Sequence, residues 1–230
     1  MKKSLALVLV AGSFLVGCAG TPQLPIAMKA EALAPPSNKV GVAMSALPKV
    51  DTQFPGASCL LCLAAAALTN STLTSYTQTL QHEDLPKLKD MVADALRKKG
   101  ATATLIADEL KIRDLPDFSG SGPNIARKDF TGFKAKYNID KLVIIDIGSI
   151  GINRAYSSYF PVGEPKAEVH GQAALINLST NTYEWYAPLK QIKSAENNTW
   201  DEPPKFPGLT NAYFQVLEMT KDSIVNPIAN

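Results

Sequence analysis

Apolar positions recur along this chain with two different periods, and each period predicts its own kind of element. Leu85, Leu88, Met91, Val92, Ala95 and Leu96 fall three and four residues apart, the spacing of one helical face. Asp84 stands before this run and Pro86 falls in its first turn. Arg97, Lys98 and Lys99 lie where the helix dipole favours cations, and Gly100 supplies the stop. A second helix is predicted over 125–137, where Phe130, Phe133 and Tyr137 repeat at helical spacing and Asn138 ends it. A third takes Thr210 as its cap, with Tyr213, Leu217 and Ile224 on one face and Pro227 at its end. Elsewhere the period falls to two, or the apolar run becomes continuous. Residues 39–44 read as a short buried strand ended by Pro48, and 101–106 as a β-prone run. Residues 142–145 read as a buried strand that continues through the half-exposed alternation of 146–152. Segments 166–178 and 182–192 make a hairpin that turns at Ser179, Thr180 and Asn181. The order predicts an α/β (α+β) domain, a small mixed β-sheet flanked by helices. It runs strand, insertion, helix, strand, helix, three-strand meander and final helix.

The first eighteen residues follow a different pattern. Met1, Lys2 and Lys3 precede an apolar run at 5–16 that is too short to cross a bilayer as a helix, for which about 20 residues are needed. Leu15, Val16, Gly17 and Cys18 resemble the lipobox of bacterial lipoproteins. That resemblance implies removal of 1–17 as a signal peptide and covalent lipid, with palmitate-type chains, on the Cys18 thiol. At roughly 0.8 kcal/mol per buried methylene, the two or three chains of such lipoproteins make attachment effectively permanent. The competing reading is an ordinary signal cut near Gly20, which leaves a soluble periplasmic protein. Residue 19 is alanine; Gram-negative lipoproteins kept in the inner membrane commonly carry aspartate there. The resemblance therefore implies the outer membrane, with the domain facing the periplasm. Residues 18–38 are rich in Ala and Pro without amphipathic period and read as a flexible tether. Residues 39–230 are long enough for one domain with a single core.

The element order from about 39 to 225 resembles the domain shared by the TolB N-terminal region, the curli secretion lipoprotein and the lipoprotein activators of penicillin-binding proteins. The segments that carry the likeness are Tyr137-Asn138-Ile139-Asp140-Lys141-Leu142-Val143, which enters a strand, and Leu175-Ile176-Asn177-Leu178-Ser179-Thr180-Asn181, which ends in a turn. The resemblance implies a TolB N-terminal-like fold and a non-enzymatic part in an envelope assembly, binding proteins or building pores. The apolar insertion at about 50–83 departs from that pattern.

Composition narrows the chemistry. Without Lys2 and Lys3 the chain carries 21 basic and 21 acidic residues and no basic run, so electrostatics give no reason to expect nucleic acid as partner. His82 and His170, the two histidines, share no ligand spacing. No metal is expected, and no cofactor beyond the covalent lipid. No glycine-rich phosphate loop follows the first strand, and no serine stands in a nucleophile elbow. Cys59 and Cys62 are candidates for a local disulfide, for two packed thiols or for a redox centre. Redox pairs need a stabilised thiolate, usually from a helix N-terminus or a nearby cation. The neighbours Ala57, Ser58, Leu60, Leu61 and Leu63 supply no charge.

Residues 57–68 are apolar except for Ser58, and a helix apolar on all sides must be covered by something. Its cover is either the domain's own sheet or an external contact. Leu60, Leu61 and Leu63, with the loop aromatics Tyr156, Tyr159 and Phe160, form the candidate interface. Trp185, mid-strand, is expected to pack against the sheet instead. These readings converge on a lipid-anchored, non-catalytic component of a cell-envelope assembly. In that reading it is a scaffold or secretion-associated subunit, held on the membrane and joined to a protein partner or to its own copies. One alternative is a regulator docking on a periplasmic enzyme such as a peptidoglycan synthase. The other is a thiol–disulfide redox protein using Cys59 and Cys62. If the lipobox is read correctly, Cys18→Ala abolishes incorporation of a palmitate analogue and moves the protein out of the membrane fraction. Label persisting in that variant refutes the anchor.

Overall fold

The computed structural model of the chain describes residues 22–35, 38–196 and 199–229; Leu15, Val16, Gly17 and Cys18 lie outside them. The first strand, β1 (Lys39–Met44), is followed by β2 (Val50–Gln53), α1 (Leu60–Thr69) and α2 (Ser71–Thr77), so the insertion is a strand and two helices. α3 (Leu88–Lys98) opens with a 3-10 turn at Leu85–Lys87 and stops at Gly100, whose φ of +86° is left-handed. Then come β3 (Thr102–Leu105), α4 (Gly132–Tyr137) and the long β4 (Lys141–Asn153). A small hairpin of β5 (Tyr156–Ser157) and β6 (Phe160–Pro161) leads to β7 (Lys166–Asn177), β8 (Thr182–Ser194) and α5 (Pro207–Ala229).

The main sheet is mixed, in the order β3-β1-β4-β7-β8. β1 runs parallel to β3 and β4, while β4, β7 and β8 form an antiparallel meander. β1 covers only the first part of β4's edge, through Ile145, and β2 pairs with the same strand further along, from Ile150. Leu142 and Ile144 face one apolar cluster with Ile106, Phe130, Ile139 and Ile176; Val143 and Ile145 face another, formed with α3 and α5. Burial on both faces explains the unbroken apolar run. Past a bulge between Ile147 and Ser149 the parity changes, so Ile147, Ile150 and Ile152 all face the helix layer.

Three expectations are corrected. The helix predicted over 125–137 is reduced to Gly132–Tyr137. Asn181, wholly buried in the β7–β8 turn with a φ of +54°, binds the backbone that a helix would have used. Its amide donates to the carbonyls of Ala126 and Lys128, and its carbonyl oxygen accepts from the Phe130 N–H. The final helix begins at Pro207 rather than after a cap at Thr210, and it runs through Pro227 to Ala229. A proline so near the end of a helix disturbs only its last turn. Residues 22–35, read as part of a flexible tether, lie against the domain. Ile26 pairs with Tyr186, Ala32 and Leu33 are buried, and the Ala32 carbonyl accepts from Lys141 Nζ at 2.5 Å. Lys141 also meets Glu184 at 2.6 Å, so this stretch closes over a partly buried ion pair.

Gly151 holds the junction between β4 and β2. Its φ is +147°, and a Cβ there would stand 1.9 Å from the Asp51 carbonyl oxygen. Gly151→Ala should therefore cost about 1–3 kcal/mol, the usual range for a strained backbone position. Thermal unfolding followed by circular dichroism measures this, and an unchanged melting temperature would show that the backbone there is relaxed.

Candidate functional site

From Thr52 to His82, 31 consecutive residues contain no Asp, Glu, Lys or Arg, in a chain that is 19% charged. Residues 155–163 contain none either. The fold brings these two stretches together at the far end of β4. The Tyr156 N–H donates to the Pro55 carbonyl at 2.7 Å and the Ser158 N–H to that of Gly56 at 3.1 Å, which zips the loop before α1 onto β5. Gly56 is required there, since its φ is +87° and a Cβ would meet the Tyr156 carbonyl at 1.9 Å.

α1 is fixed at its two ends. At its start Cys59 is the N-cap, with its sulfur accepting from the Cys62 N–H at 2.9 Å, and Cys59 and Cys62 are joined in a disulfide. The Tyr159 hydroxyl lies 3.7 Å from Cys59 Sγ, so the β5–β6 hairpin touches the cap. At its end, buried Asn70 donates to the Ala66 carbonyl and the Tyr156 hydroxyl, both at 2.7 Å, and accepts from Arg154. The Arg154 guanidinium in turn lies over the Trp200 ring, 4.8 Å from its centre.

Between those ends, α1 buries only Cys62 and Ala66. Leu60, Leu61, Leu63 and Leu68 are exposed, Leu60 by 88%, as are Tyr159, Phe160 and Val162 on and beside the hairpin, Phe160 by 75%. These make seven of the eleven large apolar side chains exposed among the described residues; the other four, Leu24, Leu105, Ile192 and Met219, lie outside these stretches. Contact surfaces use exposed apolar concentrations of this kind. Of the candidate interface residues, Tyr156 is corrected. It is 6% exposed, its ring meets Phe54 edge-on at 5.9 Å, and it serves the core. Leu68 and Val162, which the sequence alone does not single out, join the surface in its place.

The remaining candidates sit elsewhere. His170 pairs with Glu168 on β7, and His82 holds the Pro48 carbonyl at 2.7 Å. Trp185 is buried in the sheet. Tyr183 and Tyr186 pack at 5.1 Å, and burial pushes the Tyr183 hydroxyl up to about 12, so it stays protonated at neutral pH. Among the described residues no three His, Cys, Asp or Glu side chains are grouped to hold a metal ion, and no helix is long and apolar enough to cross a membrane.

No protein-family model matches this chain, and no curated protein matches it. Solved structures give loose likenesses. A dodecamer of a PelC point variant from Paraburkholderia phytofirmans is 13% identical over 90% of this chain and 95% of that one, with a TM-score of 0.33. A PelC dodecamer from the same organism in another crystal form is 14% identical over 84% and 88%, with a TM-score of 0.36. The hypothetical protein CT253 from Chlamydia trachomatis is 11% identical over 80% and 97%, with a TM-score of 0.26. Each stands below the level from which a role follows.

Proposed function

We propose that the chain is a lipid-anchored, non-catalytic component of a cell-envelope assembly, and that its exposed apolar surface docks a neighbouring protein. The observation that carries this reading is the set of seven exposed apolar side chains on two stretches that contain no Asp, Glu, Lys or Arg. Charged residues are depleted from the cores of protein interfaces, and large aromatic and aliphatic anchors concentrate there.

Position favours a protein over the bilayer as the occupant. Ile26 is held beside Tyr186, which through Ala174 lies level with Ile144. Cys18 precedes Ile26 by eight residues, a reach of at most roughly 28 Å. The exposed surface begins beyond Asn153, nine residues further along β4 and so about 30 Å from that level. A bilayer touching both the lipid and this surface would need the intervening chain pulled taut. A protein standing in the periplasm needs no such extension.

The test is the size of the detergent-extracted protein. Wild type should carry more than one protein chain per detergent micelle, and Leu61→Asp with Phe160→Asp should reduce it to a single chain per micelle. The double variant should keep its circular dichroism and its melting temperature, because both side chains are exposed and substitutions there shift stability by about 0.5 kcal/mol or less. A monomeric wild type, or an unchanged complex in the variant, refutes the docking surface.

A further inference from the structure

We propose that the Cys59–Cys62 disulfide is an exchange site that oxidises a pair of thiols on an exported protein docked at the exposed apolar surface. This goes beyond the structural role above and rests on it only for how the thiols arrive. The two sulfurs are unequal. Cys59 is exposed at the tip of the helix, whereas Cys62 is 3% exposed and faces inward. Thiol–disulfide exchange proceeds by in-line attack on an accessible sulfur, so the incoming thiolate meets Cys59.

The surroundings of Cys59 then favour its release. It caps a helix of ten residues, and its sulfur already accepts the Cys62 N–H at 2.9 Å. The partial positive charge of a helix N-terminus stabilises a thiolate at that position. The Tyr159 hydroxyl, 3.7 Å away, is a second donor within reach. Residues 52–82 and 155–163 bring no carboxylate to oppose the negative charge. A stabilised thiolate favours the reduced form, which makes the disulfide an oxidant. Leu60, Leu61 and Phe160 surround the exposed sulfur's end of the helix with the apolar surface that an extended polypeptide can lie on. A purely structural bridge explains less. It closes a loop of only four residues, where a cross-link constrains the unfolded chain least.

The step balances without any other reagent. A thiolate of the docked protein attacks Cys59 Sγ, forming a mixed disulfide, and Cys62 leaves and takes a proton from water. The second thiolate of the docked protein attacks its own partner sulfur in that mixed disulfide, and Cys59 leaves as a thiolate. Two electrons pass from the docked protein, which gains a disulfide, to the cysteine pair, which ends reduced. Each oxidised chain makes one such transfer.

The full-length lipidated chain in detergent provides the test. After reduction, alkylation by iodoacetamide is followed at each cysteine against pH by mass spectrometry. Cys59 should react half-maximally at least one unit below the ordinary thiol value of about 8.5, and Cys62 should stay unmodified until the chain is unfolded. The oxidised chain mixed in equal amount with a reduced peptide carrying two cysteines among apolar residues should yield oxidised peptide and reduced chain. Leu61→Gln, which removes the apolar contact without placing a carboxylate beside Cys59, should slow that transfer about tenfold. Half-maximal alkylation at 8.5 or above overturns the proposal, as does a pair that stays oxidised beside the reduced peptide. If the exchange occurs but Leu61→Gln leaves both the complex and the peptide rate untouched, the docking surface fails and the exchange site stands.

Discussion

The fold depends on one constraint, the burial of β4 on both faces over its first half, residues 141–145. A strand covered on one side can slip by two residues at little loss. A strand whose odd and even residues fill different cores cannot slip at all. Leu142 and Ile144 belong to one core, Val143 and Ile145 to the other, so the register of β1 on one edge and β7 on the other is fixed together. The bulge at Gly148 lets the far half of the strand keep its isoleucines on the helix layer while its other side opens. That opening is where β2 joins and where the chain departs to build α1, α2 and the β5–β6 hairpin. The exposed surface is thus an extension of the most buried strand, which gives it a rigid base.

Two buried asparagines do at the periphery what packing does at the centre. Asn181 gathers the 126–130 backbone onto the β7–β8 turn, and Asn70 ties the α1–α2 junction to Tyr156 and Arg154. Each amide satisfies several groups at once, so the loss of either side chain would strand more than one buried partner. Amides also avoid the desolvation cost of a carboxylate or ammonium. In this way the uncharged stretch between Thr52 and His82 is held in place without ion pairs.

Much of the architecture is legible in the sequence because it is periodic. The faces of α3 and α5, the double-sided run of β4 and the β7–β8 hairpin all follow from spacing alone. What escapes depends on contacts distant in sequence. Nothing between 125 and 130 announces that a side chain some fifty residues later will capture its carbonyls. The Ala and Pro of 22–35 show no period, yet Ile26 finds the open edge of β8. Tyr156 and Tyr159 look alike on the page. They part because Gly56 allows the backbone to close over the first, while the left-handed Ser158 turns the second outward. The neighbours of the two cysteines in sequence carry no charge, but the charge that matters is the helix dipole. A run of leucine and alanine does not show where its helix begins.

That starting point also explains how so apolar a helix can remain uncovered. A helix of ten residues is marginal by itself in water, and most surface helices are held by the face they bury. α1 buries Cys62 and Ala66, too little apolar area to hold it. Its stability comes instead from its ends: the Cys59 cap, and the Asn70 network about 15 Å away along the axis. Fastening a helix by its ends leaves an arc of roughly 160° free, carrying Leu60, Leu61, Leu63, Ala64, Ala67 and Leu68. The same arrangement places the exposed sulfur at the edge of that arc, beside Tyr159. The exposed apolar arc and the exposed Cys59 are therefore consequences of one choice, to anchor this helix at its termini and not along its face.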